Sequence, residues 1–176
     1  MSDASLLALP GRNATRRSAQ VGRPVKRYLS TLRVVREGRF AAPANYPAAR
    51  ADIRNPSDVF AYMAPYAERE VAESFWLLAL DAQHRVSADG PAVISRGILD
   101  STLVHPREVF RVALILNAAA IIVAHNHPSG DPTPSPDDLL VTHQLVAAGR
   151  LLDMPVHDHV VLGDGRYVSF AEARLL

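Results

Sequence analysis

The feature that most constrains this chain is an apolar run, Ala119–Ala124 (AAIIVA), that passes without a polar break into His125-Asn126-His127. Its length and its isoleucine and valine content read as a buried strand. Side chains alternate along a strand, so histidines two residues apart point the same way. A Pro/Gly/Ser-rich loop follows, Pro128–Pro134, and then Ser135-Pro136-Asp137-Asp138, which has the composition of a helix start. Whatever the fold, the two imidazoles stand at the end of a strand with a helix N-terminus close behind them.

The rest of the chain supplies partners for that strand. Ser74–Leu80 (SFWLLAL) is a second apolar run of strand length, and Asp81-Ala82-Gln83 turns it into a hairpin partner at His84–Ser87. Ala92–Ile98, with the residues up to Val104, reads as one or two further strands. Val156–Leu162 reads as a strand of alternating pattern, Gly163–Arg166 as a turn and Tyr167–Phe170 as the last strand. Helices are expected after Asn55, where Pro56 suits the first position and Asp58 the third, with Pro65 ending the helix or opening a second turn. Two more are expected, one from Pro106 to a left-handed Asn117 and one from Ser135 to near Gly149. Strands and helices alternate irregularly, so the expectation is an α/β fold with a mixed sheet flanked by helices.

Composition narrows the chemistry. There is no cysteine among the 176 residues, so disulfides, thiolate catalysis and an all-thiolate zinc site are excluded, and any metal must use His, Asp or Glu. Lack of disulfides suits a cytoplasmic location. No apolar run reaches the roughly 18–20 residues of a membrane span, and no secretory signal is evident. The net charge of +1 hides an asymmetry, because residues 1–54 carry eleven Lys/Arg against three acidic residues. Residues 1–54 therefore read as a basic, largely disordered arm and linker, and residues 55–176 as the folded domain. Such an arm is either a solvated tail or a nucleic-acid contact. Its Arg- and Ser-rich start also resembles an organelle transit peptide.

Asp138 comes eleven residues after His127, on the first turn of its helix, where the loop can bring it back to the imidazoles. Two histidines and a carboxylate make three ligands, and a catalytic zinc keeps a fourth position for water. Zinc lowers the pKa of that water from about 16 to about 7, and a base must still move the proton. Glu73, a charge just before an apolar strand, is the candidate, with Glu70 and Glu108 as rivals. Ser135 is placed to donate to an oxyanion. Each residue also has a plainer reading. Ser135 and Asp138 fit a capping box, Glu73 a surface position, and Glu108 a helix start. His157 and His159 could support the site from behind or be structural. Asp158 points away from them. His105 reads as a helix cap, His84 and His143 as surface residues, Asp131 as turn chemistry and Trp76 as core.

Taken together, Glu73, His125-Asn126-His127, Ser135 and Asp138 resemble the JAMM (MPN) metalloprotease signature: an upstream Glu, then His-x-His, seven residues, Ser, two residues, Asp. The string HNHPSGDPTPS, with STLVHPRE (101–108), AAGRLL (147–152) and DHVVLGDGRYV (158–168), is similar to the RadC branch of that superfamily. The resemblance covers roughly residues 55–176. It implies the cytidine-deaminase-like sandwich of MPN domains, zinc held by His125, His127 and Asp138, Glu73 as general acid/base, and Ser135 supporting the tetrahedral intermediate. It also implies a peptide or protein substrate cleaved at a peptide or isopeptide bond, or a role associated with DNA repair. Two departures stand out: Asn126 where typical JAMM proteases have Ser or Thr, and no helix–hairpin–helix pattern in residues 1–54.

Overall fold

The two apolar runs lie side by side at the centre of one sheet. The structure, a computed structural model, describes residues 51–87, 90–97 and 104–176. In chain order it comprises α1 (Pro56–Ala67), β1 (Ser74–Leu80), β2 (Ala92–Arg96), α2 (Pro106–Ile115), β3 (Ala120–Asn126), α3 (Pro136–Leu151), β4 (Val156–Leu162) and β5 (Tyr167–Ser169). The sheet order is β2-β1-β3-β4-β5. β3 and β4 are parallel, joined by the crossover helix α3, and the other neighbours are antiparallel. The expected mixed sheet flanked by helices is what forms.

Strand parity decides which face each residue serves. Trp76, Leu78, Leu80, Ile122, Ala124, Val160 and Leu162 pack with Val59, Tyr62 and Met63 of α1. Phe75, Leu77, Ile121 and Val123 pack on the opposite face with Val109, Phe110 and Ala113 of α2 and with Val141 and Leu145 of α3. Both faces of β1 and β3 are covered, which is why each of their residues is buried without alternation. A fully buried Leu or Ile contributes on the order of 1.5–3 kcal/mol, so the site at the end of β3 stands on a well-buried strand. His125 has odd parity and therefore faces α2 and α3.

Several local expectations are refined. Asn55 and Asp58 form the expected capping box, but Pro65 lies inside α1, which runs on to Ala67. The carbonyl that Pro65 leaves without an amide partner belongs to Ala61, on the helix's exposed side. α3 continues two residues beyond Gly149. A Cβ there would lie 2.5 Å from the Met154 carbonyl, so glycine at 149 serves a close return of the chain and not the helix end. His84–Ser87 returns along β1 through the isolated Leu80–Val86 bridge, while Arg85 bridges Asp52. β4 is buried from Asp158 onward, because β3 and β5 flank it and both its faces are covered. His105 occupies the N-cap of α2 with no side-chain hydrogen bond, and Asn117 is left-handed as expected.

The expected basic arm falls mainly on residues 1–50, outside the described residues, as do the expected strand residues 98–103. Within the described part of that arm, Asp52 bridges Arg85 and Ile53 is buried in the core. No helix among the described residues is long and apolar enough to cross a membrane.

Candidate metal centre

β3 delivers His125, fully buried, and then His127, whose amide still bonds the Leu162 carbonyl at 2.9 Å and so keeps the strand's direction. α3 delivers Asp138. Ser135 caps the helix by accepting from the Asp138 amide (3.1 Å), and the Asp138 carboxylate reaches back, its Oδ2 accepting from the Ser135 amide and hydroxyl, both at 2.7 Å. The capping box is thus real, and it holds the carboxylate so that Oδ1 lies 3.1 Å from His125 Nε2. The cap and ligand readings of Asp138 are the same arrangement. His125 Nε2 and His127 Nε2 are 2.9 Å apart, and His127 Nε2 lies 3.5 Å from Asp138 Oδ2. Donors about 2.0–2.1 Å from a tetrahedral zinc stand about 3.3 Å from one another, and the Nε2–Nε2 and Nε2–Oδ1 separations are slightly shorter than this. Among the described residues His125, His127 and Asp138 form the one group that could hold a metal.

The far side of each imidazole is also engaged. His127 Nδ1 lies 2.8 Å from the Asp131 carbonyl, which can only accept, so Nδ1 carries the proton and a neutral ring presents a bare Nε2. The loop supplying that carbonyl is pinned: the Asp131 carboxylate accepts from the Thr133 amide (3.1 Å) and hydroxyl (2.8 Å), and Asp164 donates to the Gly130 carbonyl at 2.9 Å. At Gly163 a Cβ would sit 2.4 Å from the Gly130 carbonyl, so the loop packs against bare backbone. His125 Nδ1 lies 2.8 Å from Nε2 of His159.

The electrostatics of the site centre on Asp138. Burial alone would push the Asp138 carboxyl up, but its contacts with the imidazoles of His125 and His127 outweigh it and hold the group far below the carboxylate range. His127 is raised above its ordinary value by its contact with Asp138; burial opposes this, and the Asp131 carbonyl and the charges of Asp138 and Glu73 add to it. Two imidazole nitrogens face each other beside an ionised carboxylate.

A profile described as the RadC-like JAB domain matches residues 53–175. The chain belongs to that family. Among its relatives are UPF0758 proteins of Methanosarcina acetivorans, 45% identical over 120 residues (68% of this chain, 52% of the relative), and of Symbiobacterium thermophilum, 46% identical over 130 residues (74% and 55%). A third, from Chloroflexus aggregans, is 48% identical over 123 residues (70% and 53%). The chain spans about half the length of these curated relatives.

In this RadC-like domain the remaining candidates are placed as follows. Phe75 pairs with His125 across β1 and β3. Glu73 comes two residues earlier, just ahead of β1, and its charge acts on His127. Glu73 is exposed, with its backbone held by a 2.8 Å bond from the Gly97 amide to its carbonyl. Glu70 is instead ion-paired with Arg96, and Glu108 lies exposed in the first turn of α2. His157 pairs edge-on with His84 at the surface, and His143 is exposed.

Two further residues take part at the site: His159, which the sequence left open between support from behind and a structural part, and Asn126, which it marked only as a departure. His159 is fully buried against the back of His125, and burial, with His125 beside it, holds its imidazole well below the ordinary value. Asn126 accepts from the Ser74 amide at 2.8 Å and donates to the Ala72 carbonyl at 3.2 Å, clasping the backbone on either side of Glu73. Its signal was visible as the departure from Ser or Thr between the histidines, but its partners depend on the β1–β3 register.

Proposed function

We propose that this RadC-like domain is a zinc-dependent hydrolase that cleaves an amide bond, peptide or isopeptide, in a peptide or protein substrate. The observation that carries the reading is the convergence of two Nε2 atoms and the Asp138 carboxylate, each oriented from behind, within the reach of one ion. Two imidazoles and a carboxylate are a donor set of catalytic zinc sites. When bound, zinc supplies Lewis acidity and brings the pKa of a water to about 7.

The chain's own groups do the rest. His125, His127 and Asp138 hold the ion. Glu73, exposed just ahead of β1, takes the proton of the attacking water and returns it to the leaving nitrogen. Ser135 donates its hydroxyl to Asp138 in this state. Turning that hydroxyl toward the substrate's carbonyl oxygen leaves the Ser135 amide still holding Oδ2. A cleft of about 530 Å³ opens beside His127 between Phe60 and Ala64 on one side and Gly163–Gly165 on the other. That volume falls within the range of ligand sites.

Elemental analysis is the first test. About one zinc per chain is expected, with hydrolysis of peptide or isopeptide substrates that stops on chelation and returns with zinc. Protein that neither contains zinc nor takes it up refutes the reading. Asn126→Ala is expected to keep its zinc, lose about 1–3 kcal/mol of stability as the Ser74 amide loses its acceptor, and lose activity by up to about 10²-fold as the Glu73 segment drifts. Thermal unfolding of that variant indistinguishable from the native protein would show that the clasp holds nothing.

Acid should release the metal. The ligand imidazoles must be neutral, and His127 is raised above its ordinary 6.5, so protons compete from above that value downward. Asp138 stays ionised throughout. Apparent zinc affinity is therefore expected to fall as pH drops from about 8 to about 5.5. The metal-free protein has the opposite sign, because protonated His127 beside Asp138 adds stability at low pH that is lost as pH rises through the raised value. An affinity flat across that range would contradict the assignment.

A second reading rests on the charge of residues 1–54, net +8: a nucleic-acid-associated accessory factor. It requires DNA binding that weakens steeply with salt and disappears when residues 1–40 are removed. Equal binding by the shortened chain removes it.

A further inference from the structure

Behind the candidate ligands runs a line of hydrogen bonds whose direction can be worked out by counting protons. It starts at the backbone carbonyl of Asp138, which accepts from Thr142 Oγ1 at 2.5 Å. Thr142 has one hydroxyl proton and uses it there. Its oxygen also lies 2.6 Å from His159 Nδ1, so Nδ1 must be the donor. A neutral His159 then has a bare Nε2, which lies 2.8 Å from His125 Nδ1, so Nδ1 of His125 must carry the proton in its turn. The second nitrogen of His125, Nε2, is left bare, and it is the one that faces His127 and Asp138.

We infer that His159 is a positioning residue of the metal site, fixing through Thr142 the tautomer in which His125 offers Nε2 to the ion. The inference rests on the metal reading above and goes beyond it, because His159 itself is outside the ligand group. The imidazole is built in tightly: Phe170 stacks on it at 4.7 Å between ring centroids and Phe75 meets it edge-on at 5.4 Å. Phe170 donates its amide to the His159 carbonyl at 2.9 Å. The adjoining Asp158 carboxylate accepts from the His159 amide (2.7 Å), the Ser169 hydroxyl (2.6 Å) and the Ala171 amide (2.9 Å). A fully buried polar ring with both nitrogens committed is a costly feature unless the bonds it makes are used.

The line also joins two ligands that come from different elements. It starts on the peptide of Asp138 in α3, passes through β4 at His159 and ends on His125 in β3. Ligating histidines commonly give their second N–H to a carboxylate, a carbonyl or water. His127 follows that rule with the Asp131 carbonyl, whereas His125 uses another neutral imidazole.

The test uses the full chain and zinc as the probe. In metal-free native protein, long-range nitrogen–proton NMR should find His125 and His159 both protonated on Nδ1. A proton resting on Nε2 of either ring overturns the inference without any variant. Zinc affinity, measured by competition with a chelator, should fall roughly 10–100-fold in His159→Leu. His159→Gln should hold most of it, because its amide offers an acceptor and a donor side by side. Thr142→Val should weaken binding while leaving the histidine in place, and it serves if His159→Leu does not fold. Native-like affinity in folded His159→Leu and in Thr142→Val leaves the metal site standing and refutes the part given to His159. A native protein that binds no zinc refutes the metal reading, and this inference falls with it.

Discussion

A Glu73→Gln protein is expected to keep its full complement of zinc and to lose about 10²–10⁴-fold in turnover. The substitution preserves size and hydrogen bonding but removes the capacity to accept and return a proton. No hydrogen bond or ion pair joins Glu73 to the candidate ligands; its connection to them is its place just ahead of β1 and the charge that His127 feels. Metal content should therefore not change, and activity alone should fall. Rates measured with zinc-saturated native and variant protein on the same amide substrate decide the matter. Equal rates would pass the proton-transfer role to another group. Glu70 is a poor successor because Arg96 already holds it.

The second large effect concerns Asp138, whose carboxylate serves the helix and the ion together. A zinc site with a binding energy of about 10–16 kcal/mol shared over four ligands loses roughly 3 kcal/mol, on the order of 10²-fold, with each ligand removed. Asp138→Ala should show that loss and, in addition, give up the N3 side of the capping box, costing about 0.5–2 kcal/mol in the metal-free protein. Asp138→Asn separates the two parts. Its amide oxygen can still accept from Ser135, so its unfolding in chelator should stay close to native, while its zinc affinity falls because the charge is gone. Zinc titration and thermal unfolding of the pair read both quantities. Native zinc affinity in Asp138→Asn would remove Asp138 from the ligand set.

Much of this was legible because it depends on spacing along the chain. The runs at Ser74–Leu80 and Ala120–Asn126 declare buried strands, and period two places His125 and His127 on one face without knowledge of the fold. Ser135-x-x-Asp138 was read both as a cap and as part of a metal site, and the two readings describe one geometry. What could not be decided depends on which strands are neighbours. His159 stands behind His125 only because β4 lies parallel to β3 in register with it, and Asn126 meets Ala72 and Ser74 only because β1 lies on β3's other side. The polar residues of β4 suggested an alternating, half-exposed strand, whereas hydrogen bonds at Asp158 and His159 allow both to be buried. Pro65 was expected to end its helix or open a second turn, yet the helix runs through it, and the carbonyl it leaves unpartnered is on the exposed side, where water can serve it.

All three candidate ligands fall within residues 125–138, a stretch short enough to be transplanted into another α/β scaffold. A graft of residues 120–142 would carry the strand, the loop with the Asp131 carbonyl, the capped helix start and Thr142. It would not carry His159, which arrives from the next strand over. The transplanted His125 would be free to place its proton on the nitrogen that faces the ion, so the recipient strand would need its own acceptor at the position His159 occupies here.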